Sequence, residues 1–83
     1  MIDYEFLRFE RENVEGRKTP IVHVMSKRQN VELGQIKWYG GWRQYALFPA
    51  YGTIWNPDCL NAVNTAIALL MKERLDERHK IKG

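Results

Sequence analysis

The fold is decided by the stretch Ile36-Lys37-Trp38-Tyr39-Gly40-Gly41-Trp42-Arg43-Gln44-Tyr45-Ala46-Leu47-Phe48-Pro49, in which two runs of strand-forming residues flank a pair of glycines. Aromatic and β-branched residues favour strands. Gly-Gly between such runs is typical of a two-residue hairpin turn, because the primed turn types place positive φ at their central positions. The stretch therefore predicts a β-hairpin with Gly40 and Gly41 as its loop.

A two-residue loop would fix the register of this hairpin. The opposed pairs would be Tyr39–Trp42, Trp38–Arg43, Lys37–Gln44 and Ile36–Tyr45. Because side chains alternate along a strand, one face would carry Ile36, Trp38, Arg43, Tyr45 and Leu47. The other would carry Gln35, Lys37, Tyr39, Trp42, Gln44, Ala46 and Phe48. We expect the first face to lie under the core, with Arg43 against the Trp38 ring, and the second to face solvent.

Length and composition limit the classes of protein to consider. The 83 residues predict one small domain spanning residues 1–83, of a size that buries only about 60–65% of its unfolded surface. The single cysteine excludes an internal disulfide, and two histidines with one cysteine are too few for a tetrahedral zinc site in one chain. No apolar run approaches the ~18–20 residues that cross a bilayer, and the N-terminus does not resemble a signal peptide. We therefore expect a cytoplasmic protein with no metal, cofactor or membrane contact.

Positive charge is concentrated in the middle of the chain. Residues 1–15 carry two basic and five acidic side chains, whereas residues 16–55 carry six basic and one acidic, a net charge of +5. Most of the aromatic residues lie in the same middle segment. This pattern favours an anionic partner, and the alternative is charge that serves only solubility.

Outside the hairpin, the pattern predicts strands over residues 2–11 and 21–26, with hairpin strands over 31–39 and 42–48. Gly34 indicates a bulge or a point of close contact, and residues 53–55 are either a fifth strand or an extended connection. Asn56, Pro57 and Asp58 are typical of a helix start, and the helix should run to about Arg78. The prediction is an α+β fold: an antiparallel sheet of four to five strands with one C-terminal α-helix packed on one face.

Two stripes of the predicted helix could be buried. Leu60, Val63, Ile67, Leu70 and Arg74 lie at helical spacing and should cover the sheet. The second stripe, Cys59, Ala62, Ala66 and Leu69, has mostly small side chains that would allow another helix to approach. A homo-oligomer formed through the C-terminal helix is one interpretation, and one wide apolar face on a curved sheet is the other.

No catalytic constellation emerges from the residues, and we expect a protein that is not an enzyme. Cys59 lies in the first turn of the helix, where a thiol is more acidic, but the spacing places neither histidine beside it, and a packing role explains it better. His23 in a strand is more typical of a hydrogen-bonded structural histidine. No helix follows Gly40-Gly41, so this pair is not a phosphate-binding loop.

A binding surface is the better hypothesis. Lys37, Tyr39, Trp42, Arg43 and Gln44 combine flat aromatic rings with cationic and amide donors. Rings stack on a nucleobase, amides contact its edge, and cations bind phosphate. Lys27 and Arg28, on the turn before the third strand, would add charge, from the same chain or from a neighbouring subunit. The alternative is that Tyr39 and Trp42 belong to the core.

Part of the chain also resembles a known group of proteins. The residues Gly34-Gln35-Ile36-Lys37-Trp38-Tyr39, Trp42-Arg43-Gln44-Tyr45, Phe48-Pro49, Thr53-Ile54-Trp55-Asn56 and Cys59-Leu60 are similar to a motif of short phage-encoded proteins that end in a helix. Residues 1–30 show no such resemblance. The resemblance implies phage origin and action in the cytoplasm of an infected bacterium, and it gives no activity.

Three functions are consistent with these features. The first is a non-enzymatic binder of a small nucleotide-type anion, acting as a counter-defence sponge for a nucleotide-derived signal. This role is an analogy with other small phage proteins that sequester nucleotide immune signals. The second is a nucleic-acid-binding module that uses the same surface. The third is an inhibitor of a host protein, with exposed Trp and Arg side chains as hot spots.

Overall fold

A computed structural model describes residues 6–82, with side chains described for residues 6–77. The described part contains four strands and one helix: β1 Leu7–Glu12, β2 Ile21–Ser26, β3 Glu32–Tyr39, β4 Gln44–Pro49 and α1 Pro57–Lys82. The strands form one antiparallel sheet in the order β1-β2-β3-β4. The predicted α+β fold is confirmed, with four strands and no fifth at residues 53–55. The start of the predicted first strand, residues 2–5, lies outside the described residues.

The core lies between α1 and one face of the sheet, which we call the covered face. Val24 on β2 and Ile36 on β3 are fully buried, and Tyr45 on β4 is 4% exposed. Among the described residues no polar or charged side chain is buried. The opposite face of the sheet, the open face, is not covered by a helix from residues 6–82. Because β3 alternates between the two faces, the same strand supplies both the core and the solvent-facing surface.

The hairpin register differs from the prediction by two residues. The loop is Gly40–Arg43, and Tyr39 pairs with Gln44, Trp38 with Tyr45 and Ile36 with Leu47. Within this loop Arg43 has the left-handed backbone conformation, with φ of 55°, and neither Gly40 nor Gly41 has positive φ. Four-residue loops are built around a type I turn, which does not need positive φ at its centre. A shift of two residues preserves side-chain parity, so the predicted division of β3 and β4 into a core face and a solvent face is correct.

The predicted contact between Arg43 and Trp38 is therefore wrong. Trp38 meets Tyr45 edge-on, with ring centroids 5.4 Å apart and planes at 85°. The cation on Trp38 comes from the helix instead, because the Arg74 guanidinium lies 4.2 Å from the ring centroid. This contact joins the second half of α1 to the hairpin end of the sheet.

The helix buries most of the predicted inner stripe, since Val63 and Leu70 are 3% and 6% exposed and Ile67 packs against the core. Cys59 and Ala62 of the second stripe are 8% and 4% exposed and also lie in the core, which favours the interpretation of one wide apolar face. Leu60, assigned to the inner stripe, is 48% exposed. Small residues let α1 lie close to the sheet, and Cys59 has the packing role expected of it. Leu69, which belongs to the same second stripe as Cys59 and Ala62, is exposed to solvent.

Two local features, one at the start of α1 and one at Gly34 on β3, help to fix this arrangement. The Asn56 side chain accepts a hydrogen bond from the Cys59 amide at 2.8 Å, which confirms the predicted helix cap. The register shifts where Val24 pairs with Gly34 and Met25 pairs with Glu32, so Leu33, beside Gly34, is the extra residue of a bulge. A Cβ on Gly34 would lie 3.0 Å from the Phe48 carbonyl oxygen. Gly34 is therefore a point of close contact, as predicted.

Candidate binding surface

Three aromatic side chains form a cluster at the hairpin end of the open face. Tyr39 meets Trp42 edge-on, with centroids 4.9 Å apart, and meets Phe48 at 6.2 Å. Trp42 is 67% exposed and Tyr39 40% exposed, so most of the indole faces solvent. These rings were predicted to face solvent, and their positions agree with that prediction.

Lys37 completes this cluster, which we call the aromatic surface (Lys37, Tyr39, Trp42 and Phe48). The Lys37 ammonium lies 4.6 Å from the centroid of the Phe48 ring, a cation–π contact that leaves its hydrogen-bond donors free for an anion. Tyr39, Trp42 and Phe48 line a shallow groove of about 170 Å³. Gly41 allows the turn to pass close to Tyr39, because a Cβ there would lie 2.8 Å from the ring.

The structure brings together only some of the predicted site residues. Gln44 pairs with Tyr39 across the hairpin and therefore lies on the same face as the aromatic surface. Arg43 does not lie on the aromatic surface. It lines a separate open cleft of about 460 Å³ on the covered side of the sheet, together with Trp38, Gly40 and Arg74. Arg43 and Trp42 are neighbours in sequence, but they border different sites.

Lys27 and Arg28 lie far from the aromatic surface within one chain. They belong to the turn that joins β2 to β3, whereas the hairpin loop follows the other end of β3. At about 3.3 Å per residue, the eight residues of β3 separate the two ends by roughly 20 Å. The expectation that they add charge to the site of their own chain is wrong, and a contribution from a neighbouring subunit stays a prediction.

The acidic half of the open face is arranged around His23. The imidazole Nε2 lies 2.7 Å from Glu12 Oε1, and Nδ1 is hydrogen-bonded to Glu32. The two hydrogen bonds, the one to Glu12 being the larger effect, raise the pKa of His23 above its usual 6.5. This triad ties β1, β2 and the start of β3 together, and His23 is the hydrogen-bonded structural histidine that was predicted.

Sequence reasoning missed a group of basic side chains on the covered side. Arg11, Arg17, Lys18 and Arg74 line one cleft, which we call the basic cleft. Arg11 forms an ion pair with Glu73 at 2.8 Å, and its hydrogen bond lowers the pKa of the Glu73 carboxyl. The sequence signal was the adjacent Arg17-Lys18 pair. Its proximity to Arg74, 56 positions later, depends on the direction in which α1 crosses the sheet.

The fold and these surfaces define a small α+β protein with one sheet face open to solvent. The chain is 36% identical over 70 residues to the "Uncharacterized 9.3 kDa protein" of Acholeplasma phage L2, a match covering 84% of this chain and 90% of the relative. The chain belongs to the same family as this phage protein. No family model matches it, and no solved structure does so either.

The comparison confirms the predicted resemblance to phage-encoded proteins at the level of the family. The particular motif that suggested this resemblance stays a prediction. Within residues 6–82, the helix lacks the apolar length needed to cross a membrane.

Proposed function

We propose that this chain is a non-enzymatic binding protein that holds a nucleotide-type anion against the aromatic surface and so sequesters a nucleotide-derived signal in counter-defence. The observation that carries this proposal is the exposed Trp42 ring, supported edge-on by Tyr39. An indole held in this way presents a π-face on which a base stacks, a contact worth about 1–3 kcal/mol per base. Lys37 and Gln44 lie on the same face and supply the donors for phosphate and base edge.

The small size of the groove supports the participation of a second copy of the chain. Ligand pockets that enclose a small molecule measure about 300–1,000 Å³, whereas this groove is about 170 Å³. One chain therefore covers only one side of a nucleotide. Leu60, Leu69 and Leu75 are each about half exposed on α1. These leucines support a homo-oligomer formed through the helix, in which Lys27 or Arg28 of a neighbour could reach the ligand.

Binding of single-stranded nucleic acid by the same surface is the second candidate, and the openness of the groove favours it. An extended strand needs rings on an exposed surface and a nearby cation, without enclosure. The two candidates differ in salt dependence, because a nucleic-acid ligand releases counterions from each neutralised phosphate.

The test is calorimetric titration of the full chain with cyclic dinucleotides, mononucleotides and a single-stranded oligonucleotide, at two salt concentrations. A sponge should saturate at a fixed stoichiometry with a small molecule and return it intact, as checked by chromatography. A nucleic-acid binder should prefer the oligonucleotide and lose affinity steeply with salt. In either case Trp42→Ala should weaken binding about tenfold or more, from the loss of one stacked ring.

Tyr51→Ala provides a matched control. Tyr51 is a fully exposed aromatic residue in the turn after β4, at the other end of that strand from the hairpin loop. Its removal should leave every affinity unchanged. Equal losses in the two variants, or no binding by the unmodified chain, would contradict the proposal. The second result would favour the host-protein inhibitor, which capture of a bacterial protein by the chain but not by the Trp42→Ala variant would test.

A further inference from the structure

The basic cleft lies where the loop between β1 and β2 meets the second half of α1. Its volume is about 140 Å³, and Arg11, Arg17, Lys18 and Arg74 line it together with Glu73 and Glu77. The cleft therefore has four basic and two acidic side chains, a net charge of +2. It lies on the covered side of the sheet, separate from the aromatic surface.

The charges inside this cleft are not balanced internally. Arg11 and Glu73 neutralise each other through two contacts of 2.8 and 3.0 Å. The Arg17 and Lys18 side chains form no hydrogen bond or ion pair with any described residue, and Arg74 rests on the Trp38 ring without a carboxylate partner among them. Three cations thus line one small space opposite Glu77. Like charges repel most strongly where a protein surface lowers the effective dielectric.

The loop holds its two cations at the cleft. The Arg17 amide donates to the Val14 carbonyl at 3.1 Å, closing a turn around Gly16, whose φ is 86°. Pro20 is buried at the end of the loop. Because the loop is anchored at both ends, binding through Arg17 and Lys18 would require little ordering of its backbone.

We propose that the basic cleft binds a tetrahedral oxyanion of the phosphate class, held by Arg17, Lys18 and Arg74. Charge-assisted hydrogen bonds from guanidinium and ammonium groups are the strong ones, and an anion here relieves the repulsion between the three cations. The cleft is too small to enclose a nucleotide. The Tyr45 side chain also lines the cleft, and burial raises the pKa of its hydroxyl. This site goes beyond the proposed function, since it shares no residue with the aromatic surface.

The test is binding of inorganic phosphate by the full chain, followed by backbone amide NMR at constant ionic strength in chloride. We expect saturable shifts centred on Arg17, Lys18 and Arg74. The exposed double substitution Arg17→Gln/Lys18→Gln should weaken binding about tenfold or more, since it removes two of the three cations that would form charge-assisted hydrogen bonds to the anion. The matched control, Lys27→Gln/Arg28→Gln, removes the same two charges from the other end of the sheet and should change the affinity less than about twofold.

A comparison of adenosine monophosphate with inorganic phosphate identifies the source of the phosphate group. In the Trp42→Ala variant, which lacks the stacking ring of the aromatic surface, adenosine monophosphate that binds more tightly than phosphate would indicate a nucleotide phosphate, and equal affinities would indicate a free oxyanion; both outcomes support the site. Equal weakening by the two double substitutions, or shifts spread evenly over all basic residues, would overturn it. Trp42→Ala should leave phosphate binding intact, so this proposal and the proposed function can fail independently.

Discussion

The two faces of the sheet are held in place by different kinds of interaction. On the covered face Val24 and Ile36 are fully buried, and apolar packing surrounds their side chains. On the open face His23 is held between two glutamates, and the Tyr39 and Trp42 rings support each other in solvent. One face is apolar and enclosed, and the other is polar, aromatic and exposed.

In this chain of 83 residues, one face of the sheet therefore forms the core and the other forms an exposed surface. β3 sends Ile36 to the core and Lys37 and Tyr39 to the opposite face. Stability therefore depends on one set of alternate residues, and binding is expected to depend on the other. Substitutions on the two faces should have separable effects, and the following predictions test that separation.

Ile36→Ala should produce the largest loss of stability. The side chain is fully buried at the centre of the core, and Ile→Ala substitutions at such positions cost about 2–5 kcal/mol, from lost burial and the cavity left behind. Chemical denaturation monitored by circular dichroism measures the change in the free energy of unfolding.

Trp42→Ala is the comparison on the open face. Trp42 is 67% exposed and packs against Tyr39 in a T-shaped arrangement, so we expect a loss of about 1 kcal/mol or less. A loss as large as that of Ile36→Ala would mean that the aromatic surface is part of the core, and the division between the faces would be wrong.

Gly34→Ala should have an intermediate effect. The new Cβ would lie 3.0 Å from the Phe48 carbonyl oxygen and 3.1 Å from the Pro49 Cα, both backbone atoms. Strands β3 and β4 would have to separate, at a cost of about 1–3 kcal/mol. Gly40→Ala is the matched control, because a Cβ there meets nothing within 4 Å, and it should change the unfolding free energy by about 0.5 kcal/mol or less. Equal effects would show that β3 and β4 can move apart freely at Gly34.

Most of the fold could be predicted because its signals are local. Asn56 and Pro57 marked the helix start, and the Asn56 cap is present. Alternation along β3 and β4 assigned faces correctly even though the register was wrong, because an error of two residues does not change parity. The loop length could not be predicted from the Gly-Gly pair. The pair suggested a two-residue turn with positive φ at the glycines, whereas Arg43 is the loop residue that adopts positive φ.

The remaining errors arose from features that depend on distant parts of the chain. Helical spacing alone did not show that Cys59 and Ala62 would face the sheet, because both stripes of α1 contain apolar residues. The separation of Lys27 and Arg28 from the hairpin follows from strand direction, which places alternate turns at opposite ends of the sheet. The basic cleft needs both the loop and the helix in place, so no single segment indicates it.

The smallest effect should come from the pH dependence of the open face. His23 has its pKa raised above 6.5 by its hydrogen bonds to Glu12 and Glu32. A group whose pKa is higher in the folded than in the unfolded state stabilises the fold while it is protonated. The contribution of His23 is therefore fully present below pH 6.5, and it is lost as the pH rises through the folded-state pKa.

Thermal unfolding of the unmodified chain and of His23→Gln between about pH 5.5 and about pH 9 measures this contribution. Gln retains a polar side chain at the same position but does not titrate. The unfolding temperature of the unmodified chain should exceed that of His23→Gln most at the acidic end of the range, and the difference should shrink as the pH rises. Ile36 lies in the hydrophobic core on the other face of the same sheet, so a conservative Ile36→Val change should lower the unfolding temperature equally at all these pH values. If the advantage over His23→Gln instead grew towards alkaline pH, His23 would be stabilising the fold in its neutral form, and the two glutamates would not be its charge partners.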